Sequence, residues 1–166
     1  MANENIMLLI PTERKYCESS ITVFGRLLSE NGSNNASERD YRVFTNESLI
    51  AFWNLNFGNT GAKRKIPDTY WMFQTFKRTE LCPWRESLAN ARFGDVSTCL
   101  SKSVGWIHDR PMIFFGGIEV IETTWGFFVE NWNTFVEFND EGILCSVSSN
   151  EGILISPHGC FILVQD

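Results

Sequence analysis

Histidine is scarce in this sequence: His108 and His158 are the only two in 166 residues. Imidazole is the side chain most often used for proton transfer near neutral pH, so few places remain for an acid–base centre. No apolar run approaches the ~18 residues needed to cross a bilayer. The apolar run Ile6–Ile10 is also too short for the core of a signal peptide, which predicts a cytoplasmic protein that does not enter membranes. Basic residues are outnumbered, 14 against 20 acidic, for a net charge of −6. A nucleic-acid binder normally carries the opposite balance, because it must replace the counterions on phosphates. The one basic run, Lys63-Arg64-Lys65, lies in a glycine-rich connection and reads as a solvated loop. The five cysteines, at 17, 82, 99, 145 and 160, include no C-x-x-C pair and are predicted to be reduced thiols. A calcium loop, H-E-x-x-H, a phosphate-binding G-x-x-x-x-G-K-[ST] and G-x-S-x-G are all missing, so neither a metal nor a cofactor is predicted.

What is present is apolar and aromatic. Hydrophobic residues make up 43% of the chain and charged ones 20%, with 14 Phe and 6 Trp. That is the composition of a packed globule, and the length suits a single domain over residues 1–166.

Periodicity predicts helices over much of the first two-thirds. Cys17, Ile21, Phe24 and Leu28 recur at helical spacing between Thr12 and Glu30, with Gly25 an apparent cost inside the helix. Leu49, Trp53 and Phe57 do the same after a cap at Thr45 or Asn46. Pro83 reads as the first turn of a helix ending at Gly94, and Asp95 as the start of another running to Gly105. The segment Asp68–Lys77 fits a helix or a buried strand equally well. From Pro111 the texture changes. Met112–Phe115 and Ile118–Ile121 read as strands, and Thr123 or Thr124 caps a helix carrying Trp125, Phe128, Val129 and Trp132. Strands at Phe135–Phe138, Ile143–Val147, Ile153–Ile155 and Phe161–Val164 follow, joined by turn chemistry. The predicted fold is therefore α+β, a helical N-terminal two-thirds packed on a C-terminal antiparallel β-meander.

Two kinds of site fit these residues. The first is a binding surface in the aromatic and acidic stretch 125–141, with Trp125, Glu130, Trp132, Glu137, Asp140 and Glu141 contacting a protein partner. Aromatic anchors among carboxylates suit a basic partner. The second is an enzyme site in Trp106-Ile107-His108-Asp109-Arg110-Pro111, where His108, Asp109 and Arg110 would supply acid–base chemistry. An accessory domain that homodimerises through its aromatic surface is a third reading. Cys160 beside His158 is a formal nucleophile pair without an orienting third group, and Cys145, His158 and Cys160 lack paired ligand spacing for zinc.

The segment FFVENWNTFVEFNDEG, residues 127–142, and the strands after it resemble the C-terminal part of small bacterial immunity-type proteins. In those a helix of the form FF-x-x-x-W-x-x-F leads into a strand, an acidic turn and a closing hairpin. The likeness covers about a third of the chain, and Val136-Glu137-Phe138-Asn139-Asp140 stands where that pattern has Tyr-Pro-Ser-Asp-Asp. The resemblance implies a cofactor-free protein that binds a basic toxin or enzyme and neutralises it.

Overall fold

The computed structural model describes residues 7–58, 66–68, 70–74 and 77–165; the Lys63-Arg64-Lys65 run and Ile6 lie outside them. Among the described residues, seven antiparallel strands form one sheet: β1 (Tyr41–Val43), β2 (Lys77–Pro83), β3 (Pro111–Phe115), β4 (Ile121–Thr124), β5 (Ile143–Ser146), β6 (Glu151–Ser156) and β7 (Cys160–Gln165). Their spatial order is β1-β4-β3-β5-β6-β7-β2.

This sheet overturns the expected division into a helical N-terminal two-thirds and a C-terminal meander. The meander β5-β6-β7 forms, but β1 and β2 come from the first half of the chain and make the two edges of the sheet. Strand β2 escaped the sequence reading because its first four residues, Lys77 to Glu80, are all exposed and lack apolar alternation. Edge strands are commonly charged in this way, which discourages pairing with other chains. Pro83 closes that strand, and the helix after it, α4 (Arg85–Ala89), starts two residues later.

Helices cover both faces. Strand β3 is apolar at every second position on each side, as a strand buried on both faces must be. Met112 and Phe114 face a core shared with α1 (Val23–Glu30), α5 (Phe93–Ser103), α6 (Trp125–Glu130) and α7 (Trp132–Phe138). Ile113 and Phe115 face a second core with α2 (Asn46–Phe57) and α3 (Trp71–Gln74).

Helix α2 forms over its predicted span with Thr45 as its cap, and Thr124 caps α6 by accepting from the Phe127 N–H at 3.2 Å. Residues 135–138, predicted as a strand, complete α7 instead. Trp132, Phe135 and Val136 fall at i, i+3 and i+4, and all three are buried against the first face of the sheet. The N-terminal helix is shorter than its periodicity predicts. A 3-10 turn, Ser19–Ile21, precedes α1, and a Cβ on Gly25 would overlap the Ser19 carbonyl oxygen. The glycine that counts as a cost in a regular helix is what lets this turn fold back on it.

Cysteine pairing is a further correction. Cys82 at the end of β2 and Cys99 in α5 form a disulfide with their Cα atoms 6.2 Å apart, whereas Cys17, Cys145 and Cys160 are free. The pair lies 17 positions apart in sequence, and only the packing of α5 against β2 brings the two together. Among the described residues no helix is long and apolar enough to cross a membrane.

Candidate functional site

An open groove of about 410 Å³ lies between α5 and the connection 104–110 that leads into β3. Helix α5 supplies Ser97, Thr98, Ser101 and Lys102, one polar face at helical spacing. Trp106 and Trp125 lie beneath, edge to face with ring centroids 5.0 Å apart. His108 and Glu130 form the opposite rim.

The backbone fixes His108. Its carbonyl accepts from the Gly126 N–H at 2.8 Å, and the Arg110 carbonyl accepts from the Trp125 N–H at 3.0 Å, so the connection is pinned to the first turn of α6. A Cβ on Gly126 would overlap the imidazole ring. Glycine at this position therefore creates the space that the ring fills. From there Nε2 lies 3.3 Å from Glu130 Oε1, and Nδ1 lies 3.3 Å from Asp109 Oδ1. The Glu130 carboxylate, with Asp109 second, raises the imidazole pKa above its ordinary value. The side chain is 65% exposed, so water screens both contacts.

Of the residues singled out from sequence, His108, Glu130 and Trp125 line this groove, and Asp109 reaches His108 from outside its lining. Arg110 does not join His108. Its guanidinium stacks 4.5 Å over Trp106 and donates to Ser146, Ser149 and Glu151, the last at 2.7 Å, which holds the Glu151 carboxyl below its ordinary pKa. Arg110 thus braces Trp106 against the turn between β5 and β6. Trp125 is 3% exposed and Trp132 fully buried, so neither ring can serve as an anchor offered to a partner. Glu137, Asp140 and Glu141 are exposed, and Glu137 accepts from Asn31 at 3.2 Å. Cys145 points into the second core against Met72 and Tyr70, where burial pushes its thiol up to about 12 and keeps it protonated at neutral pH. Among the described residues no group of three or more His, Cys, Asp or Glu side chains is placed so that it could hold a metal ion.

Sequence reasoning missed Trp106, Gly126 and the α5 hydroxyls. The polar face Ser97-Thr98-Ser101-Lys102 was visible as a pattern, but nothing local said what it would face. A family model described as "Protein of unknown function (DUF2947)" matches residues 31–163. The chain belongs to that family. Every residue lining the groove falls within the span matched by the DUF2947 model. No curated protein and no solved structure matches the chain.

Proposed function

We propose that the protein binds a basic macromolecular partner and acts by blocking it, with the His108–Glu130 groove as the point of contact. The observation that carries this reading is the imidazole itself, which has a carboxylate 3.3 Å from each of its ring nitrogens. A partner's guanidinium or ammonium group can take that place, because Asp109 and Glu130 are both exposed and already face one position from two sides. Glu137, Asp140 and Glu141 extend the acidic surface on the next helix and turn. The net charge of −6 adds long-range attraction for such a partner.

The acid–base enzyme reading has less behind it. Both ring nitrogens of His108 face carboxylates, which leaves neither placed to take a proton from a nucleophile. The Ser97 hydroxyl in the groove already donates to the Val129 carbonyl at 2.8 Å, and Arg110 is turned away. The homodimer reading loses the aromatic surface it needed, since the rings of Trp125 and Trp132 are interior.

The immunity-type resemblance of residues 127–142 belongs to this proposal as the reason to expect neutralisation rather than simple scaffolding. The cytoplasmic address is part of the same proposal, with the Cys82–Cys99 bond weighing against it, since reducing compartments seldom keep a disulfide.

Affinity capture from the producing organism, at about 50 mM and about 500 mM salt, tests the reading. A basic protein should be retained in stoichiometric amount at low salt and released at high salt, and the double variant Asp109→Lys/Glu130→Lys should lose it. Absence of a salt-sensitive partner, or one that the double variant keeps, contradicts the proposal.

A further inference from the structure

A second groove, of about 480 Å³, opens where β1, β3 and β4 meet the N-terminal segment, and its charge is opposite to that of the whole protein. Arg14, Arg39 and Arg42 line it against two carboxylates, Glu38 and Glu122. Register explains the arrangement: Arg42 on edge strand β1 pairs with Glu122 on β4, which puts both on one face of the sheet. Glu122, with its side chain only 12% exposed, accepts from the Arg14 Nε, from Arg42 Nη2 at 2.8 Å and from the Tyr16 hydroxyl at 2.7 Å. Arg42 also stacks 4.2 Å over the Tyr16 ring.

One carboxylate therefore holds two guanidiniums in fixed orientations and cannot neutralise both. Arg14 spends Nε on Glu122 and Nη1 on the Pro11 carbonyl at 3.2 Å, and Arg42 spends only Nη2, so N–H groups of both remain available at the groove. Arg39, exposed on the rim, makes no side-chain hydrogen bond or ion pair among the described residues. Guanidinium forks that are already oriented lose little freedom on binding and match the paired oxygens of an oxyanion.

We propose that this groove binds a small polyvalent oxyanion, phosphate or carboxylate in type, with Arg39 and Arg42 as its principal contacts and Glu122 as the residue that positions Arg14 and Arg42. The site is independent of the His108 groove, and one can fail without the other.

Calorimetric titration with pyrophosphate and with citrate, at constant ionic strength in sodium chloride, tests it and distinguishes the two anion types. At least one anion should bind with 1:1 stoichiometry. Arg39→Gln should weaken that binding about tenfold, the loss of one charge-assisted contact, with no change in the thermal midpoint. Arg42→Gln should weaken binding at least as much and also lower the midpoint, because it opens the ring around Glu122. Failure of both anions to bind, or unchanged affinity in Arg39→Gln, overturns the proposal.

Discussion

Replacing Trp132 by alanine is expected to destabilise the protein by about 3–5 kcal/mol, the range for emptying a large aromatic site in a packed core. The indole has no exposed surface, packs edge to face on Phe93 and Phe161 with centroids 5.9 and 6.0 Å away, and donates from Nε1 to the Phe93 carbonyl at 2.9 Å. Phe93 opens α5 and Phe161 lies in β7, so the cavity would form where α7 joins helix to sheet. Denaturant unfolding measures the loss directly. Were Trp132 a surface anchor, as its acidic neighbours invite one to read it, the same substitution would change stability by no more than about 0.5 kcal/mol. A measured loss below about 1 kcal/mol would place the ring outside the core.

Opening the Cys82–Cys99 bond should cost about 3 kcal/mol, the loop-closure entropy of a bridge between residues 17 positions apart. At this chain length that corresponds to a fall in thermal midpoint of roughly 6–12 °C. The double variant Cys82→Ser/Cys99→Ser should show the same fall without reductant and no further fall with it. Alkylation of the unfolded, unreduced protein should label three cysteines, and all five after reduction. A bridge-free midpoint equal to that of the native protein would contradict this account. The consequence reaches the His108 groove, because the tethered helix is the one that carries Ser97, Thr98, Ser101 and Lys102. Reduction should loosen that wall before it unfolds the sheet.

Two titrating groups tie stability to pH in opposite directions. His108 has a raised pKa in the folded protein, so its contribution is fully present below the unfolded value of about 6.5 and is lost as pH rises through the folded value. Glu151 has a lowered pKa through Arg110, so its contribution is present above the unfolded carboxylate value and lost as pH falls through the folded one. Partner binding should follow His108 in the reverse sense to stability. Once the imidazole is neutral, Asp109 and Glu130 are free to take a partner's cation.

The sequence made some of this legible, and the reasons for the rest are physical. Helix α2 and the Thr124 cap could be read because their signals are local: a capping hydroxyl followed by residues at helical spacing. Strand β2 could not, since an edge strand exposed along four residues has no buried face to generate a pattern. Residues 135–138 were misread because Phe135-Val136-Glu137-Phe138 is a short run of aromatic and β-branched residues, which strands favour, and the helical ring partners of Phe135 include Phe24, 111 positions away. His108 and Glu130 were both noticed, yet assigned to rival sites. Twenty-two residues and a strand pair separate them, and only the ring space left by Gly126 joins them. The Arg14–Glu122 pair spans 108 positions and had no local signature at all.

The most direct test of this account is an NMR titration of His108, one of only two imidazoles in the chain. The wild-type ring should titrate above 6.5, and both Glu130→Gln and Gly126→Ala should bring it down while leaving the thermal midpoint nearly unchanged, because the exposed ring can swing away from an added Cβ. A wild-type value at or below 6.5, unaltered by either substitution, would mean that the imidazole does not sit between Asp109 and Glu130.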